Sequence, residues 1–196
     1  MTLDDLRTAL KAVPGRDWLD DAESRVRADP GQVSRLFAQA DRRMGRERLA
    51  GAGDWTAGQA ARAVLLATLD DAGTVARLYH EGDAAERLAV LRALPLLSIG
   101  DAAVPLLHDA LRTNDTRLVA AALGPYAARL DAATWRQGVI KCVFLGVPLN
   151  VVADLDRRTD RELTAMLSAL AAERAAAGRP MPADAADLLE RTKEQP

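Results

Sequence analysis

Two consecutive stretches between Leu111 and Leu149 are apolar around most of their helical circumference, yet they carry polar side chains that a core normally excludes. The candidate ligand-binding residues in these stretches are Asn114, Asp115, Arg117, Tyr126, Trp135, Gln137 and Lys141. Polar side chains on otherwise apolar helix faces suit the binding of a small polar ligand. We therefore predict a small polar pocket at the junction of two consecutive helices.

Arg117 stands at the head of a stripe of small residues on the first of these helices. The stripe continues at Ala121, Gly124 and Ala128. Small residues allow a neighbouring helix to approach closely, so an arginine there needs a carboxylate, a carbonyl group or an anionic ligand as its partner. The alternative to ligand binding is an internal ion pair with Asp115 or Asp131.

Lys141 is the only charged residue between Gln137 and Ala153. An enclosed, desolvated lysine is the kind of group that forms Schiff bases or holds a phosphate. The alternative is an aliphatic stem that lies on apolar surface with its ammonium group in water. Gln137 precedes Lys141 by one helical turn, so the two side chains project together. The neighbouring Cys142 is expected to be a buried free cysteine.

Asn114 and Asp115 precede the first of the two helices, where an N-cap and a first-turn acid belong. Capping alone accounts for both residue types. The N–H groups of a helix N-terminus also bind phosphates, so ligand binding is the alternative for this pair.

The composition excludes several classes of protein. Net charge is −2 with acids and bases mixed along the chain, which disfavours nucleic acid as a partner. Two histidines are too few for a zinc site without distant carboxylates, and no nucleotide-binding or metalloprotease motif occurs, so we expect no cofactor. A single cysteine, the absence of a signal-peptide pattern and the absence of a long uncharged apolar window predict a cytoplasmic protein without a membrane span.

N-cap residues and Gly or Pro breaks divide the chain into helices and predict an all-α fold, since no segment alternates like a half-buried strand. Helices are predicted at 2–12, 17–28, 32–44, 56–69, 71–80, 84–97, 102–112, 114–130, 131–145, 159–177 and 182–190. Residues 1–196 are expected to form one domain, with N-terminal helices at 1–44, a loop at 45–55, an array core at 56–149 and C-terminal helices at 150–196. The loop is the best candidate for a boundary between subregions.

A short internal repeat points to the arrangement of these helices. Arg87-Leu88 followed by Leu94-Pro95 returns 30 residues later as Arg117-Leu118 followed by Gly124-Pro125. Helix–turn–helix units of this length, with a proline near a helix end, are typical of HEAT-type arrays. We predict a right-handed helical array (a HEAT-like or ARM-type α-solenoid) after three N-terminal helices, with an irregular helical bundle as the alternative.

The same residues carry a resemblance to a known family. The segment ALRTNDTRLVAAALGPYAARLDAATWRQGVIKCVFLGVPL, from Ala110 to Leu149, resembles the signature region of EboA domain proteins, and AERLAVLRALPLL, from Ala85 to Leu97, resembles the region before it. The resemblance implies an all-helical protein of ebo-type clusters, which are linked to making or exporting secondary metabolites. Such clusters also encode prenyltransferase-like, metal-hydrolase-like and sugar-phosphate isomerase-like proteins. The family supplies no catalytic residues to transfer.

These observations predict an accessory protein of such a cluster. It would bind either a pathway enzyme or a polar intermediate, phosphorylated or cyclitol-like, at the seven candidate residues. One alternative is an enzyme of the same pathway, an isomerase or transferase that uses Lys141 or Asp115 as acid or base. Another is a purely structural helical scaffold, in which the same residues only hold helices together.

Overall fold

A computed structural model describes residues 1–193 of the chain, which fold into α-helices joined by short 3-10 turns. The chain divides into two compact units, one from Met1 to Leu106 and the other beginning at Leu107. The first six helices are α1 (Leu3–Leu10), α2 (Arg16–Ala28), α3 (Val33–Met44), α4 (Ala57–Leu69), α5 (Ala72–Glu81) and α6 (Ala84–Ala93). The next six are α7 (Val104–Arg112), α8 (Thr116–Ala122), α9 (Ala132–Leu145), α10 (Leu155–Arg158), α11 (Arg161–Ala176) and α12 (Ala183–Lys193).

The predicted all-α class is confirmed. Within residues 1–193 there is no strand, and the single β-bridge joins Arg48 to Thr56. None of the helices in this part of the chain has the length and apolar character needed to cross a lipid bilayer.

Most helices begin at the residues that the sequence indicates. Thr56 and Asp83 each form a capping box, in which the N-cap and the third helical residue exchange hydrogen bonds. Asp71 and Asp131 cap α5 and α9 through single side-chain bonds to the backbone. Because these bonds are local, residue type alone identifies them.

In the first unit, α4 is the central helix. It packs against α1, α2, α3 and α6, and nearly every residue from Ala57 to Leu66 is buried. Its many alanines allow these close approaches. In a helical array each repeat contacts only adjacent repeats, whereas α1 and α4 are separated by two helices. This contact joins an N-terminal helix to α4, while the helical array predicted over residues 56–149 stays a prediction.

The loop before α4 lies inside the first unit. Trp55 is buried in it, and the Arg92 guanidinium of α6 lies 4.6 Å from the centre of the Trp55 ring. The division between the units falls instead within α7, so that its residues from Leu107 onward belong to the second unit. There α9 packs against α8 and α11, and α11 packs against α12.

Two predicted helices are shorter than expected. The prediction of one continuous helix over 114–130 is wrong, because α8 ends at Ala122 and residues Pro125–Arg129 form a 3-10 turn. Pro125 lacks the N–H that an α-helix needs at this position, and its ring opposes continuation. The N-cap of α8 is Asp115 rather than Asn114. Similarly, α6 ends at Ala93, and the 3-10 turn Leu94–Leu96 contains Pro95.

Candidate functional site

An open groove of about 590 Å³ lies between α7, α9 and α11 in the second unit. Its polar lining consists of His108, Arg112, Asn114, Thr134, Gln137, Lys141 and Glu173. Its apolar lining consists of Leu111, Gly138, Ile140, Phe144 and Leu170. Natural small-molecule sites span roughly 300–1,000 Å³, so the groove has the size of a metabolite site. Three of the seven candidate residues, Asn114, Gln137 and Lys141, line it.

The α9 wall of the groove is fixed at both ends. Asp131 accepts a hydrogen bond from the backbone N–H of Thr134 (2.9 Å), which holds the pKa of the Asp131 carboxyl below its ordinary value. Gly146 ends the helix in the left-handed conformation, with φ of 72°. Gln137 and Lys141 lie one turn apart between these ends, so both side chains reach the groove from the same side of α9.

Gly138 sets how closely other elements approach α9. A Cβ atom at this position would lie 2.9 Å from Cδ2 of Leu123 and 3.3 Å from Cδ2 of Leu111. Both distances are shorter than ordinary van der Waals contacts between carbon atoms. The glycine therefore allows Leu111 of α7 and Leu123 after α8 to pack closely against α9.

Lys141 is the half-buried cation of the groove. Within residues 1–193, no side chain forms a hydrogen bond or an ion pair with Lys141, Gln137 or Asn114. An ammonium group has three donors and each amide has two donors and an acceptor. The groove thus presents a cation and two amides whose hydrogen-bonding capacity is open to a ligand.

Arg117 and Asp115 do not line the groove, and they bind each other. The Arg117 guanidinium donates to both Asp115 oxygens, from Nε at 3.0 Å and from Nη2 at 2.7 Å. The pair lowers the pKa of Asp115 and raises that of Arg117. The Arg117 side chain is 60% exposed. It is therefore not enclosed between α8 and a neighbouring helix, as the small residues that follow it had predicted. This pair is the internal ion pair considered as the alternative for Arg117.

Tyr126 and Trp135 are core residues rather than groove residues. Trp135 is 1% exposed, and the Arg158 guanidinium lies 4.6 Å from the centre of its ring. Its Nε1–H has no hydrogen-bond partner among the described residues. Tyr126 is likewise buried, in the 3-10 turn after α8, beneath the guanidinium of Arg129. Their polar tips suggested a pocket, but their rings pack against arginines.

Two features of this region were not predicted from the sequence. Phe144 is 70% exposed at the edge of the groove, off the face on which Trp135, Val139, Cys142 and Val143 are buried, and its apolar side chain gives no sign of this exposure. Arg136 of α9 pairs with Asp160 at the start of α11, at 2.6 Å. The separation of these two residues in sequence leaves no local signal for the pair, which holds the α11 wall against the α9 wall.

A second groove of about 570 Å³ lies between α10 and α12 and is rich in carboxylates. Most of its charged side chains already form ion pairs or hydrogen bonds with other groups of the protein. Asp154 pairs with Arg157 at 2.6 Å, Asp156 pairs with Arg191 at 3.3 Å, and Asp184 accepts the backbone N–H of Leu149 at 2.6 Å. In the part of the chain that the structure describes, no three His, Cys, Asp or Glu side chains are arranged to hold a metal ion. The groove at Lys141 is therefore the better candidate site.

Comparison with known proteins identifies the family of the chain. Searches among curated proteins and among solved structures give no match to the chain. The family model described as "Metabolite traffic protein EboA" matches residues 38–190, which include every residue of the groove. This match covers well over half of the 196 residues. The chain therefore belongs to the EboA family.

Proposed function

We propose that this protein binds a small metabolite in the groove between α7, α9 and α11 and passes it on without transforming it. The observation that carries the proposal is the open hydrogen-bonding capacity of Lys141, Gln137 and Asn114 in a groove of about 590 Å³. Because no described side chain occupies these three polar groups, they can bind a polar or anionic ligand group directly.

The chemistry of the groove supports recognition of a polar or anionic group. Lys141 supplies a point charge, while Gln137 and Asn114 supply donors and acceptors that orient a ligand. The neighbouring thiol adds no nucleophile, because burial raises the pKa of Cys142 to about 12. The family description, metabolite traffic, agrees with binding and transfer rather than with a particular reaction.

In this proposal the protein is an accessory component of an ebo-type secondary-metabolite cluster and acts in the cytoplasm. It would receive its ligand from one protein of the cluster and deliver it to another. A right-handed HEAT-like array over residues 56–149, suited to such handover, stays a prediction from the internal repeat.

The test is to recover the ligand. The full chain, expressed together with the cluster that encodes it, is purified, denatured in organic solvent and analysed by mass spectrometry. We expect one metabolite to be enriched with the wild-type protein and reduced at least tenfold in Lys141→Gln. The matched control is Lys11→Gln, which removes an exposed ammonium from the end of α1.

The control should retain the metabolite, and circular dichroism should show that both variants are folded. Equal amounts of metabolite in Lys141→Gln and wild type would contradict the proposed site. Absence of any enriched metabolite from all three proteins would contradict the proposed function. Conversion of the recovered metabolite by the purified protein would make the protein an enzyme.

A further inference from the structure

Granted the proposed function, we infer that the ligand is an amphiphilic carboxylate: its carboxylate group pairs with Lys141, and its ring or alkyl part covers Phe144. This inference specifies the ligand class at the groove. It rests on the exposed phenylalanine, on the order of residues along α9 and on the balance of charge in the groove.

Phe144 is the first observation. Its side chain is 70% exposed, and the only other large apolar residue exposed in the described chain is Met1. Every other large apolar side chain of residues 1–193 is at least partly covered by the protein. Phe144 does not stand alone, because Ile140 and Leu170 line the same groove and make the ring part of a small apolar surface that a ligand can cover.

The order of residues along α9 is the second observation. Gln137 and Lys141 lie one turn apart, and Ile140 and Phe144 also lie one turn apart. The two pairs are offset by three residues, so a polar strip and an apolar strip run side by side along the same helix wall. Leu170 of α11 adds to the apolar strip from the opposite wall. A ligand that fits both strips has a polar end and an apolar end.

The balance of charge is the third observation. Lys141 is a cation without a partner among the described residues, whereas Arg112 pairs with Asp109 at 3.1 Å. Glu173 brings a negative charge to the same groove. Glu173 lowers the net charge of the lining and so disfavours a diphosphate, which needs several cations or a metal ion. Lys141 forms no ion pair with Glu173, so its ammonium group can pair with one negative charge of a ligand, and a carboxylate supplies a single charge of that kind.

The experiment uses probes that separate charge from apolar contact. ¹⁵N-labelled full-length protein is titrated with 3-phenylpropionate, its neutral analogue 3-phenylpropionamide, acetate, and pyrophosphate, and amide shifts are followed by NMR. We expect 3-phenylpropionate to shift resonances of α9 and to bind at least tenfold more tightly than each of the other three. Lys141→Gln should remove the preference for 3-phenylpropionate over its amide, and Phe144→Ala should remove the preference over acetate. Lys11→Gln should change neither.

Several results would overturn the inference. If 3-phenylpropionamide binds the groove as tightly as the carboxylate, or if pyrophosphate binds most tightly, the ligand class is wrong while the proposed binding function stands. If no probe binds, the metabolite recovered from cells decides: a neutral or polyanionic compound overturns the inference, and a carboxylate supports it. If no probe binds and no metabolite is recovered, the proposed function fails as well.

Discussion

Arg136 of α9 holds Asp160 with a two-pronged contact while Asp160 also caps α11. Nε of Arg136 donates to Oδ1 at 3.0 Å, and Nη2 donates to Oδ2 at 2.6 Å. Oδ1 also accepts the backbone N–H of Leu163 at 3.0 Å. One carboxylate therefore both starts the helix that forms one wall of the groove and ties that helix to the opposite wall.

Asp160→Asn should separate the charge of this residue from its capping role, because asparagine also caps helices well. We expect the free energy of unfolding at pH 7 to fall by about 0.5–1 kcal/mol, the range of a partly exposed ion pair. Asp160→Ala should lower the free energy of unfolding by about 1 kcal/mol more than Asp160→Asn does, because it also removes the N-cap of α11. Urea unfolding followed by circular dichroism measures both. Equal losses in the two variants would show that capping contributes nothing here.

The contribution of the Asp160 carboxylate to the free energy of unfolding should also depend on pH. Arg136 donates hydrogen bonds that hold the pKa of the Asp160 carboxyl below its ordinary value of 3.8. A carboxyl with a lowered pKa in the folded state stabilises the fold fully above 3.8 and loses that effect as the pH falls through its folded pKa. The stability difference between wild type and Asp160→Asn should thus shrink below pH 3.8. A difference that stayed constant down to complete protonation would contradict this assignment.

Arg158 holds the 3-10 turn after α8 against the core of the second unit. It donates to the carbonyl oxygens of Ala127 at 2.6 Å and Leu130 at 2.9 Å, and it stacks on Trp135. Arg158→Met keeps the aliphatic stem but removes these donors, so we expect a loss of about 2 kcal/mol in the free energy of unfolding. The matched control is Arg157→Met. Arg157 is exposed and, among the described residues, pairs with Asp154, so its loss should lower the free energy of unfolding much less than the loss of Arg158.

The two arginine variants are compared by urea unfolding. Similar losses of unfolding free energy in both variants would mean that water hydrogen-bonds the carbonyl oxygens of Ala127 and Leu130 as well as Arg158 does. A larger loss in Arg157→Met would place the main stabilising contact at Asp154 instead.

Gly58 of α4 lies against the buried ion pair of the first unit. Arg62 is 3% exposed, and its Nη1 donates to Oδ1 of Asp41 at 2.7 Å. A Cβ atom at Gly58 would lie 2.1 Å from that same Oδ1 and 3.0 Å from Cα of Asp41. Gly58→Ala therefore forces either the carboxylate away from Arg62 or α3 away from α4. We expect a loss of about 2 kcal/mol in thermal or urea unfolding.

The matched control for Gly58→Ala is Gly73→Ala in α5. Gly73 is exposed, and the nearest atom to its added Cβ is Oδ2 of Asp71 at 3.4 Å, an ordinary contact. Alanine favours the helix there, so this variant should gain about 0.5 kcal/mol. Opposite signs for the two variants are expected. A stabilising Gly58→Ala would show that α3 and α4 separate at little cost.

The sequence predicts local structure here better than it predicts contacts. The caps at Thr56, Asp83 and Asp131 depend on residues within one turn, and each is present in the structure. The break at Pro125 was missed because the apolar spacing continues through the proline as if the helix did. At that position the lost N–H and the ring of proline outweigh the hydrophobic pattern.

The candidate site shows the same limit. Gln137 and Lys141 line the same groove because they lie one turn apart on one helix, a spacing that can be read from the sequence. The small-residue stripe predicts that Arg117 is enclosed, whereas the structure has it exposed and in the ion pair with Asp115 that the sequence offered as the alternative. Phe144 could not be identified as exposed from its type, since most phenylalanines are buried.

Cys142 should be chemically inert in the native protein. Its side chain is completely buried in α9, and burial together with the charge of Asp184 raises the pKa of the thiol to about 12. Since the thiolate is the reactive species, iodoacetamide or Ellman's reagent at pH 8 should leave Cys142 unmodified until denaturant is added. Mass spectrometry before and after unfolding measures the modification. Because this is the only cysteine in the chain, any label on the native protein reports directly on opening of the α9 core. Rapid labelling without denaturant would show that α9 opens readily, and the groove built on it would then lack the fixed wall that ligand recognition by Lys141 requires.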